Sequence, residues 1–400
     1  MKRTILISVI CLIVVMAESN GQGHSIDDEL IKVDITKSYS AKKELILQDF
    51  MDVEYIVLET NDDFLHQGNV MDVGKKFILV TNFNDDGDIF VYDRSGKALR
   101  KINHMGQNYS QQYSQILEIT LDEDNQEMFV HDHALKIVLV YDLNGKFKRN
   151  FKCKNDQHYK AMYNYDKNNL ICYCDNFGRT RSEFVLVSKK DGRITHEMKI
   201  PFENHISPVY RTSSKPVTTT VNHGNGLSTA TSSAIFSASV PRYRTIIPFK
   251  GNCTLIELSS DTVYTFFPDY TLRPCFVRTP PINSMNTKVF LVLNFLSDRY
   301  CFLSTLNYEP GFPQTPFLYD SQSKAFFNYS LYNGDYSTKK EINFDALEPV
   351  NHEVSCQRLE AFQLVEDLKK GNLKDGKLKE IASKLDEEDN CVIMLVKHRK

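Results

Sequence analysis

Short runs of β-branched and aromatic residues, separated by polar turns, repeat along the first half of the chain. Residues 77–80 and 89–93 are two such runs, and a turn that contains Gly96 leads into a third run ending at Ile102. Apolar runs of roughly four to eight residues, closed by a glycine turn, predict antiparallel strands joined as hairpins. This stretch therefore predicts one small antiparallel sheet.

The same unit returns 49 residues later, with Tyr141 in the place of Tyr92 and Gly145 in the place of Gly96. A weaker third copy begins at Ala161. Periods of roughly 40 to 50 residues with four strands in each unit are typical of the blades of a β-propeller. The pattern therefore predicts an all-β propeller.

Strand-like runs flank these repeats on both sides. Residues 31–35 and 54–59 alternate apolar and polar positions, as half-buried strands do, and further runs continue as far as residue 327. Residues 391–396 form the last apolar run. Because an unpaired edge strand invites aggregation, we expect this run to close the ring by joining the blade begun by residues 31–60.

Two segments depart from the strand pattern. Residues from about 212 to 240 are rich in Ser and Thr, which predicts a long loop, either an excursion within one blade or a glycan-rich linker between domains. Near the end of the chain the apolar period becomes helical, which predicts short amphipathic helices at about 358–370 and 377–385. We expect these helices to pack against a rim of the sheets.

The first residues indicate export. Two basic residues precede an apolar run that ends at Met16, and Ala17 and Ser19 are small residues at a suitable cleavage position. Residues 1–19 are therefore predicted to be a secretory signal peptide. The apolar run is too short to span a membrane as a stable helix, and no transmembrane span is expected in the mature chain.

The exported chain is expected to contain a flexible segment at residues 20–30 and the propeller at residues 31–400. Its predicted location is the periplasm or the cell surface. A lipid anchor on Cys11 is disfavoured, because the preceding Ile10 is not small and the apolar run continues beyond it.

Of the nine cysteines in the chain, eight remain once Cys11 is removed. An even number in an exported protein permits disulfides, but the density is far below that of a disulfide scaffold. Cys172 and Cys174 share one face of a strand, and as a metal pair they would need two further ligands. The sequence holds no second C-x-C or C-x-x-C pair, so we interpret them as small buried hydrophobic residues.

The overall charge excludes one class of partner. The formal net charge is -3, with 42% hydrophobic and 25% charged residues, which is typical of a soluble globular protein. Both signs are spread along the chain, and no basic stripe or patch is apparent. We therefore expect no nucleic acid partner.

Residues 131–133 read His-Asp-His, the strongest candidate for a metal site. His131 and His133 would place two imidazoles at a strand end with a carboxylate between them. The alternative is that Asp132 is the structural turn acid of the repeat and that both histidines are solvated loop residues. Residues 85–88, Asp-Asp-Gly-Asp, suggest calcium in the same way, but a polar hairpin turn explains them better.

Tyr109 and Tyr113 are candidates for binding a sugar, since an exposed aromatic face covers the apolar C–H surface of a sugar ring. The sequence carries no Gly-x-Ser-x-Gly nucleophile motif and no phosphate-binding Gly-x-x-x-x-Gly-Lys loop. No catalytic residue and no cofactor are therefore assigned.

Residues 129–132 and 137–147 resemble the NHL-type repeat, in which an Asp after one strand and an Asp-x-x-Gly turn after the next recur. The order of motifs also resembles the six-bladed β-propeller family of exported proteins of Bacteroidota. This second resemblance depends on residues 55–60, on residues 261–264 and on the ending at 385–390. It implies six blades and an exported location, and it implies no particular activity.

One loop differs from that family, whose members often carry a Gly-Pro-Gly-Glu-Tyr-like loop after the first repeat. Residues 106–113 of this chain keep only a Gly and a Tyr of that motif. The support that a glycine-rich turn gives at this place is therefore not expected here.

The sequence favours a six-bladed propeller with short C-terminal helices, closed by the C-terminal strand. The function that suits it is that of an exported, non-catalytic binding or scaffolding protein of the bacterial cell envelope, with a glycan or an envelope protein as ligand. The alternative is a propeller lyase or hydrolase with a metal in the central channel. Its main support is analogy of fold, which does not establish function.

Overall fold

The computed structural model describes residues 29–83, 86–153, 158–174, 183–207, 209–213, 217–222, 227–232, 235–241 and 243–399. The predicted signal peptide at residues 1–19 lies outside these ranges. Within them, six sheets are arranged radially as a β-propeller, which confirms the predicted fold class.

The three N-terminal strands join three different blades, and a one-turn helix, α1 (Leu47–Phe50), separates the last two of them. These strands are β1 (Ile31–Asp34), β2 (Lys42–Ile46) and β3 (Met51–Val57). The expectation that residues 31–60 begin one blade was therefore wrong. An alternating pattern indicates a half-buried strand, but it carries no information about which sheet edge the strand will join.

The first three blades each use four consecutive antiparallel strands, which confirms the three repeats. Blade 1 contains β4 (Asn69–Val73), β5 (Phe77–Thr81), β6 (Asp88–Asp93) and β7 (Ala98–Asn103). Blade 2 contains β8 (Ile116–Asp122), β9 (Glu127–Asp132), β10 (Ile137–Asp142) and β11 (Phe147–Lys152). Blade 3 contains β12 (Tyr159–Asn164), β13 (Asn169–Cys174), β14 (Glu183–Ser188) and β15 (Ile194–Met198).

The repeated Asp-x-x-Gly turns have the same local chemistry in blades 1 and 2. The carboxylate of Asp93 accepts hydrogen bonds from the backbone N–H groups of Ser95 and Lys97, and the carboxylate of Asp142 accepts the equivalent pair in blade 2. Gly96 has a φ of 89°, and a Cβ there would lie 1.9 Å from the carbonyl oxygen of Val57. Only glycine fits such a turn, which explains the spacing in the sequence.

The Ser/Thr-rich segment forms strands, so the predicted loop at about 212–240 was wrong. The strands are β16 (Val209–Ser213), β17 (Val217–Asn222), β18 (Leu227–Ser232) and β19 (Ile235–Ser239). They follow the last strand of blade 3 and precede blade 4, and they pair with each other as two two-stranded sheets. Thr and Val favour extended backbone even where the segment has few large apolar residues to bury.

Blades 4 and 5 each gain a fifth, parallel strand from the N-terminal segment. Blade 4 contains β20 (Ile246–Phe249), β21 (Asn252–Leu255), β22 (Thr262–Phe266) and β23 (Leu272–Thr279), with β1 beside β23. Blade 5 contains β24 (Val289–Leu296), β25 (Tyr300–Asn307), β26 (Gln314–Asp320) and β27 (Ala325–Tyr332), with β2 beside β27. The strand-like runs between residues 289 and 327 thus form one blade. A single 3-10 turn, Ile282–Ser284, connects the two sheets.

Blade 6 closes the ring with strands from both ends of the chain. It contains β28 (Glu348–Pro349), β29 (Val354–Leu359), β30 (Val392–His398) and β3. β30 pairs antiparallel with β3 from Val57 opposite Val392 to Met51 opposite His398. The prediction that the C-terminal strand closes the ring is confirmed, because an unpaired edge in this place would expose a row of backbone hydrogen-bonding groups.

Two helices, α2 (Ala361–Lys369) and α3 (Lys377–Ala382), lie between β29 and β30, close to the predicted positions. Leu364, Leu378 and Ile381 are buried in one cluster with Val392 of the closing strand. The apolar face of each helix therefore packs on blade 6.

The hydrophobic core lies between neighbouring blades. Val80 and Phe90 on one face of blade 1 pack with Ile393 of blade 6, whereas Leu79 and Val91 on the other face pack with the core of blade 2. Successive residues of a strand point to opposite faces, so each continuous apolar run supplies two inter-blade layers.

Candidate binding face

The first strands of the blades line the central axis. The carboxylate of Asp72 in β4 accepts a hydrogen bond from the backbone N–H of Leu121 in β8 at 2.7 Å, and the Thr120 hydroxyl donates to the carbonyl of Met162 in β12 at 2.9 Å. Because each blade is an antiparallel meander, the starts of these first strands and the loops between second and third strands lie at the same end. We call this end the upper face.

A pocket of about 170 Å³ opens on the upper face where blade 1 meets blade 2. Its walls come from the start of β4, the end of β5, the loop that follows β5 and the start of β8. The lining residues are Asn69, Thr81, Asn82, Phe83, Asp86, Gly87, Asp88 and Ile116. Loops held on a rigid ring of sheets are a common place for binding sites.

Asn82 organises one wall of the pocket. Its side-chain oxygen accepts a hydrogen bond from the backbone N–H of Gln67 at 2.8 Å, and its side-chain nitrogen donates to Asp86 Oδ2 at 2.6 Å. The side-chain oxygen of Gln67 in turn accepts a hydrogen bond from the backbone N–H of Phe83 at 2.8 Å. The loop before β4 and the loop after β5 are therefore locked together.

Asp86 and Asp88 supply the carboxylates of the pocket. Asp86 Oδ1 accepts the backbone N–H of Asp88 at 3.0 Å, which is the geometry of a polar hairpin turn. Asp88 pairs with Lys101 at 2.7 Å and also accepts a hydrogen bond from Asn103 at 2.8 Å. The turn interpretation of this segment agrees with these bonds, while Asp85 lies outside the described residues.

Phe83 provides an aromatic surface beside these polar groups. Its side chain is 59% exposed, a large fraction for a phenylalanine. The guanidinium carbon of Arg358 lies 5.0 Å from the ring centroid, within the range of a cation–π contact. One face of the pocket is thus apolar and the other offers hydrogen-bonding oxygens and nitrogens.

The two tyrosines predicted to bind a sugar have different environments. Tyr109 is 49% exposed on the loop between blades 1 and 2. Tyr113 is 0% exposed, so its predicted exposure was wrong. Its hydroxyl donates to the carbonyl of Gly87 at 2.7 Å and accepts the backbone N–H of His104 at 2.8 Å, and the ring fills the core between blades 1 and 2. Tyr113 therefore supports the pocket wall at Gly87 from within the core.

The histidines at residues 131 and 133 lie at the end of β9, also on the upper face. His131 is fully buried, with Nε2 3.5 Å from Cys153 Sγ, and burial lowers the pKa of its imidazole to about 3. The interpretation of both histidines as solvated loop residues was thus wrong for His131. His133 is exposed and stacks on the ring of His158 with centroids 4.3 Å apart.

Asp132 is the structural turn acid that the repeat pattern indicated. Its carboxylate accepts hydrogen bonds from the backbone N–H groups of Ser114, Gln115 and Leu135 at 2.5 to 3.1 Å. In the part of the chain that the structure describes, no three His, Cys, Asp or Glu side chains are grouped so that they could hold a metal ion. The assignment of a metal to His131 and His133 remains a sequence prediction.

The opposite end of the channel is crossed by a turn of blade 6. His352 is bonded through Nδ1 to the carbonyl of Asn252 at 3.0 Å, and its own carbonyl accepts the N–H of Lys250 at 3.0 Å. Both partners belong to the first turn of blade 4, on the far side of blade 5. The two ends of the channel are therefore different, and the pocket lies at the end away from this crossing.

Sequence reasoning missed Phe83, Asn82 and Arg358. Phe83 and Asn82 follow a strand directly and precede an acidic turn, so the sequence signal was an aromatic residue inside an otherwise polar hairpin loop. Arg358 carried no such signal, because it comes from blade 6, at the other end of the chain.

Within the described ranges, no helix has the length and apolar character needed to cross a membrane. No curated protein matches the chain. The sequence family described as "Domain of unknown function (DUF4934)" matches residues 30–397.

Three solved structures illustrate the range of structural similarity. A protein of Bacteroides fragilis described as exported is 14% identical with a TM-score of 0.55, over 93% of this chain and 100% of that chain. A DUF4221 member from Bacteroides vulgatus is 8% identical with a TM-score of 0.41, over 88% and 99%. Virginiamycin B lyase from Staphylococcus aureus is 12% identical with a TM-score of 0.30, over 72% and 94%.

At these identities the first structure shares the fold and implies nothing about activity. The family match, in contrast, extends from the first described strand to the last. The chain therefore belongs to the DUF4934 family of domains of unknown function.

Proposed function

We propose that the protein is an exported, non-catalytic binding module that holds a neutral glycan in the pocket on the upper face. One observation carries this proposal: an exposed aromatic ring, Phe83, stands beside the amide of Asn82 and the carboxylate of Asp86 in the same pocket. Tyr109, which is exposed on the loop between blades 1 and 2, is kept as a second candidate for contact with the glycan.

This combination of groups suits the chemistry of a sugar. The C–H face of a sugar ring is apolar and covers an aromatic ring, while its hydroxyl groups both donate and accept hydrogen bonds. The Asp86 carboxylate has lone pairs beyond the two bonds it accepts within the loop, and bonds from hydroxyl groups to carboxylates are among the stronger ones.

The charges around the pocket favour a neutral ligand. The Asp88 carboxylate is already paired with Lys101, and the cation of Arg358 lies over the far edge of the site at Phe83. Both signs are thus present at the rim, so neither an acidic nor a basic ligand gains a large electrostatic advantage.

The source of the ionisable groups favours binding over catalysis. An enzyme site usually brings acids and bases from several elements onto one point. Among the described residues that line the pocket, the ionisable ones are Asp86 and Asp88, and both come from a single hairpin loop. Export itself rests on the predicted signal peptide at residues 1–19.

The test is a screen of neutral and acidic glycans with the chain from residue 20 onward, followed by calorimetric titration of the glycans that bind. Phe83→Ala should weaken the affinity about tenfold or more, since it removes the stacking surface. Tyr270→Ala is the matched control, because Tyr270 is 46% exposed but lies in the turn between β22 and β23, at the other end of the propeller.

Three outcomes would refute the proposal: no glycan binds, Phe83→Ala binds as tightly as the wild type, or both variants lose affinity equally. A preference for acidic glycans would refute the neutral ligand and leave the site itself supported.

A further inference from the structure

A β-arm, made of β16 to β19, lies between blades 3 and 4 in the chain. β16 pairs antiparallel with β19 from Val209 opposite Ser239 to Ser213 opposite Ile235. β17 pairs with β18 from Val217 opposite Ser232 to Asn222 opposite Leu227. The arm therefore consists of two successive two-stranded antiparallel sheets, with β17 and β18 lying between β16 and β19 in the chain.

The base of this arm is anchored on blade 5. The ring of Tyr210 lies 5.3 Å from the ring of Tyr308 and 6.5 Å from the ring of Phe312, and the Tyr308 hydroxyl donates to the carbonyl of Val209 at 2.8 Å. These contacts attach β16 to blade 5. Among the described strands, none pairs with β17 or β18 other than these two with each other.

The outermost strand of each of the six blades carries charged residues. Such charges on edge strands discourage pairing with another chain. The residues are Arg100 and Lys101 in β7, Lys148 and Arg149 in β11, Glu197 in β15, Lys32 and Asp34 in β1, Lys42 to Glu44 in β2, and Asp52 and Glu54 in β3.

The β17–β18 pair of the arm lacks this protection, whereas β16 carries Arg211. From Val217 to Val240 the sequence contains no Lys, Arg, Asp, Glu or Pro, and it is rich in Thr, Val and Ser. Both edges of the β17–β18 pair therefore present unpaired backbone groups without the devices that block strand addition elsewhere in the same molecule. An isolated two-stranded hairpin is also only marginally stable in water, so the arm gains from further strands.

We propose that the arm pairs edge to edge with the arm of a second copy of this chain. Two identical uncharged edges related by a two-fold axis are self-complementary, and antiparallel pairing of β17 or β18 with its symmetry mate makes a four-stranded sheet. The absence of charge removes the repulsion that two copies of a charged edge would meet. The interface is separate from the glycan pocket of blades 1 and 2.

Sedimentation velocity of the chain from residue 20 onward tests the proposal across micromolar concentrations. The wild type should sediment as a dimer in reversible equilibrium with monomer. Thr219→Lys places a cation on β17 and Thr229→Lys places one on β18. Whichever of these two substitutions lies on the strand that forms the interface should raise the dimer dissociation constant at least tenfold.

Leu99→Lys is the matched control, because it adds the same charge to β7, an exposed blade edge that already carries Arg100 and Lys101. It should leave the dissociation constant unchanged. Circular dichroism and thermal unfolding of each variant establish that the propeller is still folded. A monomeric wild type, a dimer that persists in both arm variants, or equal dissociation by Leu99→Lys would each overturn the proposal.

Discussion

The Asp72 carboxylate accepts the backbone N–H of Leu121 at 2.7 Å and so joins the innermost strands of blades 1 and 2. It also accepts the N–H of Val73 at 2.7 Å. The side chain is 8% exposed, and burial raises the pKa of its carboxyl group to about 7. The axis of the propeller therefore contains a carboxyl group whose charge changes within the physiological range.

The stability of the protein should depend on pH through Asp72. An acid whose folded pKa lies above its unfolded value of about 3.9 binds its proton more tightly when folded. Its contribution is fully present below about pH 4 and is lost as the pH rises through about 7, with a magnitude on the order of 4 kcal/mol.

Asp72→Asn keeps an oxygen that can accept the Leu121 N–H and removes the titration. Urea unfolding of the wild type and the variant across this pH range measures the effect. The difference between their free energies of unfolding should change steadily with pH. A constant difference would show that Asp72 does not titrate between about pH 4 and about pH 7.

Asn390→Ala should destabilise the closure of the ring by about 3 kcal/mol. The Asn390 side chain donates to the carbonyls of Phe64 at 2.6 Å and Glu59 at 3.0 Å, and it accepts the N–H of His66 at 3.1 Å. Its removal leaves the Phe64 carbonyl and the His66 N–H without this partner, while the Glu59 carbonyl keeps only the longer bond from the Tyr92 hydroxyl at 3.4 Å. Chemical denaturation measures the loss, and Asn144→Ala in an exposed turn is a control that should stay within about 0.5 kcal/mol of the wild type.

The parallel strand β1 should be required for the stability of blade 4. Val33 is fully buried against Phe276 and Cys275, whereas the adjacent Lys32 points to the other face and is exposed. Val33→Asp should lower the free energy of unfolding by at least about 3 kcal/mol, because it buries a carboxylate without a partner. Lys32→Asp should change it little, and equal effects in thermal unfolding would contradict the assigned register.

Tyr113→Phe should destabilise the protein by roughly 1 to 3 kcal/mol, because the Gly87 carbonyl and the His104 N–H lose their shared partner. Tyr109→Phe should be neutral, since Tyr109 is exposed. Glycan titrations with the same two variants distinguish a change in the shape of the loop from the loss of a direct contact with the ligand. Tyr113→Phe should weaken binding by loosening the loop at Gly87, and unchanged affinity would place that loop outside the site.

The cysteine thiols should be unreactive in the folded protein. All eight described cysteines are buried and none of them forms a disulfide, and burial raises the pKa of Cys391 to about 12 and that of Cys253 and Cys356 still further. The thiolate is the reactive form, so a thiol reagent should label none of the eight before unfolding and all eight in guanidinium without a reductant. Fewer than eight after unfolding would reveal disulfides.

Local patterns predicted the repeated blades well because each blade is built from contacts close in sequence. The Asp93 and Asp142 turns, the glycines beside them and the alternating apolar runs all act within one hairpin, so they are visible in the printed chain. The helices near the C terminus were predicted for the same reason, since their apolar period is local to each helix.

The assignments that failed involve partners distant in sequence. The three N-terminal strands have similar patterns, yet they join blades 4, 5 and 6, because the ring brings the edges of those sheets beside them. Tyr109 and Tyr113 are four residues apart in one polar loop, yet the packing of blade 2 buries only the second. The sequence predicts a loop for the arm because the segment is rich in Ser and Thr and has few large apolar residues.

The printed order of residues was therefore sufficient for the type of blade, its turns and the ring closed by the last strand, because backbone hydrogen bonding and alternation of side chains act over a few residues. The pocket needed the folded ring. Phe83 and Arg358 meet only after blades 1 and 6, from opposite ends of the chain, have been brought together by the burial of apolar surface between sheets.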